Sequence, residues 1–545
     1  MNALSVEKVF VSEIREGYEL TAQQEQVWLR EQQNRGQAWL WGAVRVQGEL
    51  ALERVQRAVR RVTQAEEVLR SEFARLAGMD QPLQVLRDEG AVVVEFEEAE
   101  TAVLEERIEQ WGRSGQWDEA GDQWGVKLWR VGGETILGVR MRPLCGDRET
   151  VRSVIEEVLS GYERDLQRVE EGETQQRVQY ADYGAWQKEV RDEGAEGRAY
   201  WEREQRGWGR ELRLGLEHGV VGGGWRRQRV AVAGEVVEQI RRVAAAERVS
   251  EAAVLLSAWQ LLLWRHTEAE VVEVETYFDG RKYEDLRDAL GRYGRYLPVS
   301  FRFEKDFGFI EVVRWIDESI SSASLYQDCW RETGLGSSGI GFEYVSWTTE
   351  WLEERVGGQK LKLRVEREAS GLALRLEYDD GVLSEAAAEW LSEQYAQLLG
   401  EVSGAPEQLV SEAVQVSARE REQVLSGWNA VTVFEGAAVR NVVQLFEEQV
   451  EQRPEATAIV SGGEQLSFGE LNRRANQLGH YLRGQGVGAE VVVGLCLERS
   501  VELVVGLLGI LKAGGAYLPL DPNYPRARLE YLLRDAQVEL VLTQA

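Results

Sequence analysis

Apolar and other residues alternate from Thr135 to Met141 as in a half-buried strand, and from Val151 onward the apolar period changes. Val151, Val154, Ile155, Val158 and Tyr162 recur with helical spacing, so Arg140–Thr150 (R-M-R-P-L-C-G-D-R-E-T) is expected to be a strand-to-helix turn. Asp147 stands where a helix N-cap belongs, and such a turn can hold a side chain at a fixed place facing a cleft. Upstream, Thr21-x-x-Gln24 is a capping-box signature for a helix running through Trp28. A strand is expected near Leu40–Val46, then a helix with Leu52, Val55, Val59 and Val62 on one face.

Downstream of the turn, the polar stretch Arg203–Gly224, rich in glycine and arginine, is expected to be a linker between two halves. Ser250 can cap a helix running to Trp264 that is apolar nearly all round, which implies burial. Val271–Phe278 is expected as a strand ending in the turn Asp279-Gly280. Gly334–Gly341 (G-L-G-S-S-G-I-G) has the glycines of a phosphate-cradling loop but no lysine at that spacing, so a plain loop before a strand at Phe342–Val345 is preferred. Leu361/Leu363/Val365 and Leu372/Leu374/Leu376 alternate as a hairpin around Ser370-Gly371, and Leu391, Tyr395 and Leu398 mark a helix capped by Ser384.

Gly404–Gly427 is polar and weakly patterned and is expected to be a boundary. Beyond Asn441, strands at Ala456–Val460, Val491–Cys496, Ala516–Leu518 and Leu540–Thr543 alternate with helices at Gly469–Leu482 and Val501–Leu511. That order predicts a parallel sheet with crossover helices, and Pro525 fits the first turn of a further helix. Leu503–Leu520 is the most apolar run, but it contains Lys512 and breaks at Gly514-Gly515 and Pro519, so a buried helix and strand is preferred to a membrane span.

At 545 residues the chain can form three or four lobes. Its formal charge of −29 argues against a nucleic-acid surface and for a soluble, self-repelling protein. Cys145, Cys329 and Cys496 are too few and too scattered for a disulfide framework or zinc site, which suits a cytoplasmic protein, and no charged-then-apolar leader opens the sequence.

The central turn resembles the active-site loop of the condensation domains of nonribosomal peptide synthetases, H-H-x-x-x-D-G-x-S. Arg142 and Pro143 then take the histidine positions, Asp147 the aspartate, Arg148 the glycine and Thr150 the serine. Leu20–Leu29 resembles the motif S-x-A-Q-x-R-x-W, with Glu25 or Gln26 at the arginine and Trp28 at the tryptophan. Glu67–Phe73 resembles R-H-E-x-L-R-T-x-F, with Glu66 in place of its histidine, and Tyr180–Trp186 (Y-A-D-Y-G-A-W) matches Y-x-D-[FY]-x-x-W through Tyr180, Asp182 and Trp186. Gly280-Arg281 resembles the start of G-R-x-x-x-E, whose arginine pairs with the aspartate of the turn, so the resemblance implies an Asp147–Arg281 pair of structural role. A buried carboxylate needs such a partner. Leu290–Val299 resembles I-G-x-F-x-N-T-L-P-L, with Arg295 at the asparagine.

Trp428-Asn429 resembles the close of condensation-to-adenylation linkers. Leu466–Leu471 (L-S-F-G-E-L) and Leu511–Asp521 (L-K-A-G-G-A-Y-L-P-L-D) resemble the first motifs of adenylation domains. The resemblance implies an α/β (α+β) fold: two chloramphenicol-acetyltransferase-like lobes in a V, over residues 15–200 and 201–430, then an incomplete adenylation subdomain over 441–545. It also implies a tunnel in which the phosphopantetheine arms of two carrier proteins meet, with no cofactor bound directly and ATP used only by a complete adenylation domain. The chain is therefore expected to be a fragment of a larger synthetase, working with carrier proteins and other modules rather than with nucleic acid, membrane or metal.

In the family the second histidine positions or deprotonates the acceptor amine, which needs a lone pair that Pro143 lacks. His218, His266 and His480 lie in a linker, at a helix end and in the adenylation region, and each is read as non-catalytic. Cys145 is read as core packing, and Arg142 is a cation suited to a phosphate or carboxylate. Two functions follow: amide-bond formation between carrier-bound thioesters, carried by positioning, or a catalytically silent condensation-like platform that docks carrier proteins or a tailoring enzyme.

Overall fold

Asn441, Ser467 and Ser500 each accept a hydrogen bond from the backbone three residues on, and a helix starts after each of them, as the cap rule requires. The computed structural model describes residues 17–33, 38–75, 81–90, 92–114, 123–167, 177–204, 211–219, 224–267, 269–331, 338–345, 351–356, 358–368, 371–413, 416–429 and 440–544. The chain divides into two units, Met1–Gly427 and Trp428–Ala545.

The first unit opens with β1 (Gly17–Tyr18), α1 (Ala22–Gln33), β2 (Trp39–Gln47) and α2 (Leu52–Ala65). There follow β3 (Ser71–Ala74), β4 (Leu83–Leu86), β5 (Val94–Glu98), α3 (Leu104–Arg113), β6 (Trp124–Val131), β7 (Glu134–Met141) and α4 (Arg148–Gln167). Two further helices, α5 (Tyr180–Glu193) and α6 (Ala195–Glu204), lead to β8 (Trp225–Val230), α7 (Gly234–Glu247), α8 (Glu251–Thr267), β9 (Val271–Phe278) and β10 (Arg295–Arg302). The unit continues through α9 (Phe309–Leu325), β11 (Ile340–Val345), β12 (Trp351–Arg355), β13 (Leu361–Glu368), β14 (Gly371–Asp379), α10 (Glu385–Gly404) and α11 (Ala418–Glu422).

Two sheets make two lobes. The first is five-stranded, in the order β12-β2-β7-β6-β5. Alternation puts Leu40 and Val139 on the face covered by α2 and α4, and Trp41, Trp129 and Ile136 on the face covered by α3. The outermost strand, β12, comes from far along the chain and pairs antiparallel with β2, Trp351 opposite Ala43.

The second sheet is six-stranded, in the order β10-β9-β11-β13-β14-β8. One face is apolar: Val272, Val274, Phe342, Leu363 and Leu376 join the residues of α8 and α10 in one core. The helix α8 is buried nearly all round, as its composition requires. The register puts Glu343 opposite Arg364, and Lys362 opposite Glu377, on the other face, where all four are buried. Charged residues that alternate with apolar ones along a strand here face the first lobe rather than water.

Two expectations need correction, and a third is refined. Leu212 and Leu214, inside the supposed linker Arg203–Gly224, are buried in the second-lobe core, and the Leu212 N–H donates to the Ser338 carbonyl. Val410 and Ala413, inside the expected boundary stretch Gly404–Gly427, belong to the same core, and the division between the two units falls at the end of that stretch, after Gly427. In both places two apolar side chains anchor a polar segment. Half of the glycine-rich stretch (334–337) and Ser370 of the expected hairpin turn lie outside the described residues, although β13 and β14 pair antiparallel as expected.

The second unit holds α12 (Val442–Gln452), β15 (Thr457–Ser461), β16 (Glu464–Ser467), α13 (Phe468–Gly484), β17 (Val492–Cys496), α14 (Val501–Ala513), β18 (Ala516–Pro519), α15 (Arg526–Asp535) and β19 (Leu540–Thr543). A parallel three-stranded sheet, β18-β17-β19, is present, but β15 is not part of it, which is the second correction: it forms a hairpin with β16. Gly514, at φ +93°, ends α14, and among the described residues no helix is long and apolar enough to cross a membrane.

One group on the charged face of the second lobe has no cation beside it among the described residues. Glu273 sits two residues from Glu275, which is itself held by Arg30 of α1 at 3.0 Å. Burial, and then the Glu275 carboxylate, push Glu273 up to about 8. The folded chain thus keeps a proton that the unfolded chain has lost above its ordinary carboxyl range, so this group lowers stability as pH rises from about 5 to about 8. Glu273→Gln stays neutral throughout. Its melting temperature is expected to match wild type near pH 5 and to exceed it by about 1–3 °C at pH 8; parallel melting curves across that range would refute the assignment.

Candidate active site

The strand β7 lies between β2 and β6, so its C-terminal end is fixed on both sides. As the chain leaves it, the Arg142 N–H donates to the Gln123 carbonyl at 2.7 Å and the Cys145 N–H to the Arg142 carbonyl at 2.8 Å, closing a tight turn before α4. Asp147 caps that helix: its Oδ1 accepts from the Thr150 N–H at 3.0 Å and from the Thr150 hydroxyl at 2.9 Å.

The same carboxylate is the meeting point of the two lobes. Arg281 Nη1 donates to Oδ2 at 2.8 Å and Nη2 to Oδ1 at 2.9 Å. The backbone N–H groups of Tyr293 and Gly294 donate to Oδ2 at 2.9 and 2.7 Å. Asp147 has no solvent exposure. Burial alone would raise its pKa, but the Arg281 guanidinium, then Arg292 and the Gly294 N–H, outweigh that and hold the carboxyl below its ordinary range. Burial would lower Arg281 in turn, and the Asp147 carboxylate outweighs it and raises the guanidinium instead.

Two glycines make this approach possible. Gly280 has φ +76°, and a Cβ there would lie 2.2 Å from the Tyr293 carbonyl oxygen. Gly291 has φ +150°, donates its N–H to the Thr150 hydroxyl at 3.1 Å, shares that hydroxyl's one proton with Asp147 through its carbonyl at 2.7 Å, and would put a Cβ 2.0 Å from the Tyr180 ring. Tyr180 is buried, donates to the Arg292 carbonyl and meets the Thr21 hydroxyl at 2.8 Å. The motif positions Thr21, Asp147, Thr150, Tyr180 and Arg281 are therefore one hydrogen-bonded assembly.

The remaining candidates stand apart from it. Pro143 is buried at the turn and offers no polar side-chain atom. Arg142 is spent on Glu31 at 3.0 Å and on Gln123 Oε1 at 3.2 Å. Trp28 is half-buried under the Arg75 guanidinium, Asp182 is exposed, and Trp186 packs against Tyr183 and Tyr283. Arg295 is buried and donates to the Gln327 carbonyl, and burial lowers its pKa. Cys145 is buried and pushed up to about 12, so its thiol is no nucleophile near neutral pH. His266 meets Gln394 at 2.6 Å, His480 is exposed, and the His218 backbone N–H donates to the Val382 carbonyl; none reaches the turn. Among the described residues no group of three His, Cys, Asp or Glu could hold a metal ion.

Sequence reading missed the ion pairs beside the turn. Arg148 pairs with Glu343 and, through Nε at 3.2 Å, with Glu354. Glu354 also pairs with Arg292, and Glu343 with Lys362 at 2.9 Å and with the Tyr296 hydroxyl. The available signal was the strict alternation in L-K-L-R-V-E (Leu361–Glu366), which ordinarily marks a strand with one wet face. Two surface hollows, of about 260 and 700 Å³, lie elsewhere, along α7 and α10.

A protein-family profile described as "Condensation domain" matches residues 14–329, and one described as "AMP-binding enzyme" matches residues 446–545. Bacitracin synthase 2 of Bacillus licheniformis is 26% identical over 98% of this chain and 21% of its own length. Tyrocidine synthase 2 of Brevibacillus parabrevis is 27% identical over 540 residues, covering 92% of this chain and 15% of that protein. The chain thus spans about a fifth or less of the length of these relatives. Among solved structures, a holo four-domain nonribosomal peptide synthetase bound to AMP and glycine superimposes with a TM-score of 0.76 at 18% identity, over 100% of this chain and 44% of that one. The X-domain in complex with OxyB from teicoplanin biosynthesis superimposes with a TM-score of 0.63 at 18% identity, over 76% of this chain and 99% of that one. The chain belongs to the condensation-domain family of the nonribosomal peptide synthetases, and the N-terminal portion of an AMP-binding domain follows its condensation domain.

Proposed function

We propose that this chain works in nonribosomal peptide assembly as a condensation unit that joins carrier-bound acyl and aminoacyl groups. The acceptor amine attacks the donor thioester; the C–N bond forms, the C–S bond breaks, the donor phosphopantetheine arm leaves as a thiolate, and the proton lost by the amine passes to it, directly or through solvent, to give the thiol. The observation that carries the reading is the six-bonded Asp147 carboxylate, which fixes the family's turn against the second lobe through Arg281, Tyr293 and Gly294.

In this reading Asp147 and Arg281 hold the turn and do no proton transfer. Pro143, at the histidine position, offers no lone pair, and Arg142 is occupied by Glu31. Rate acceleration then comes from alignment, which supplies about 7–11 kcal/mol when two reactants are held in register. Tyr180 supports the turn directly, while Trp28, Asp182, Trp186 and Arg295 serve the lobes around it. The partners are carrier proteins and neighbouring modules, the setting is the cytoplasm, and the working divisions are 15–200 and 201–430 for condensation and 441–545 for the adenylation portion.

One observation favours a second reading, a silent docking platform. The turn is buried, with Pro143 and Asp147 inaccessible and Arg148 filling the position of the motif's glycine with paired charge. The X-domain neighbour was itself solved together with OxyB.

Mass spectrometry of carrier proteins loaded with donor acyl and acceptor aminoacyl groups separates the two. Amide product from the wild-type chain is expected, with a further rise of about tenfold or more from Pro143→His. Product from neither, with carrier binding intact, would establish the platform. As a control, Asp147→Ala strands the buried Arg281 and is expected to cost about 3–5 kcal/mol of stability, whereas Asp147→Asn, which keeps an acceptor for the backbone donors, costs less and loses product only as far as it unfolds. A stable Asp147→Ala that loses all product would show instead that Asp147 takes part in the chemistry.

A further inference from the structure

The ion pairs beside the turn span two lobes. Arg148 stands in the first turn of α4 and Glu354 on β12, both in the first lobe, while Glu343 on β11 and Lys362 on β13 belong to the second-lobe sheet. Arg292 reaches Glu354 from the segment that precedes β10. Glu343 and Glu354 have no exposed side-chain surface, and Arg148 has 2%.

Two physical features make this set more than a clamp. Each buried ion costs several kcal/mol to desolvate and recovers it only while its partner stays in place, so the pairs hold or part together rather than loosening one by one. The closed arrangement is also imperfect: among the described residues, Arg148 Nε and Nη1 and Arg292 Nε and Nη2 are buried donors with no hydrogen-bond partner, and Glu354 Oε2 is a buried acceptor with none. Unmet buried donors raise the energy of the closed state, which brings an open alternative within reach.

We propose that Arg148, Glu343, Glu354, Arg292 and Lys362 form a salt-bridge gate across the seam between the two lobes, closed in this structure, whose parting uncovers the turn at Pro143 while the Asp147–Arg281 pair stays in place. Arg148 is the bolt, because among the described residues it alone forms ion pairs with both Glu343 and Glu354. The identity of what enters, a substrate arm, rests on the function proposed above; the gate itself does not.

The test measures the seam without carriers or turnover, so it can fail while the amide chemistry stands, and the reverse. Spin labels are placed on exposed residues of each lobe, Leu166→Cys on α4 and Leu325→Cys on α9, in the full chain with Cys329→Ser and Cys496→Ser. Pulsed electron–electron distance measurements then compare wild type with Arg148→Gly and Arg148→Lys. A second, longer distance population is expected in Arg148→Gly and not in Arg148→Lys, which keeps the charge. Arg148→Met, which fills space without charge, replaces Arg148→Gly if glycine frays the helix, and is expected to open as well. Distance distributions that superimpose on wild type in all folded variants would overturn the gate and leave the pairs as a static clamp, as would a change that appears only where the melting curve shows general unfolding.

Discussion

A carboxylate with no access to water has to be satisfied completely, and Asp147 is satisfied from two directions. Thr150, on its own helix, supplies two donors, and the Arg281 guanidinium with the Tyr293 and Gly294 amides supplies the rest from the second lobe. Neither lobe alone could bury this group at a tolerable cost. The start of α4, the turn after β9 and the segment leading into β10 are therefore located with respect to one another by one side chain. Gly280 and Gly291 are glycines because that convergence leaves no room for a Cβ.

Around this point buried charge is added to apolar contact: Leu144, Tyr180 and Tyr293 share one core, and ion pairs lie beside it. The second-lobe sheet turns Phe342, Leu363 and Leu376 toward its helices, and Glu343, Lys362 and Glu377 toward the first lobe. Alternating signs let those ions stay ionised: burial would raise Glu343, but Arg148 and Lys362 hold it low. The consequence for chemistry is that the turn is well positioned but surrounded by groups already committed to one another. Among the described residues no histidine reaches the turn, which is why the function proposed above relies on alignment.

The secondary structure near the turn was legible because its signals are local. Apolar period separates β7 from α4, and the Thr21–Gln24 capping box forms both of its bonds, at 3.1 and 3.2 Å. The motif residues of the Asp147 assembly could be named as well, since each belongs to a short recognisable string. What stayed hidden depends on distant partners. Alternation identifies β15 as a strand but does not say that it pairs with β16 instead of joining the parallel sheet. Leu212 and Val410 sit in polar segments whose average composition conceals an anchor. L-K-L-R-V-E looks like a strand with a wet face, and only the neighbouring lobe shows why that face is dry.

The strand β12 completes the first lobe's sheet beside β2, although about 300 residues separate them in the chain. During synthesis at about 5–20 residues per second, the edge of β2 thus waits on the order of 15–60 s for its neighbour. Through that interval the nascent first lobe carries an open row of backbone donors and acceptors, the kind of edge that invites pairing with another chain. In the finished fold that edge is covered by a strand from the other half of the unit, and the open edge left there is the short β12, so the first lobe's sheet is complete only once the second half has been made.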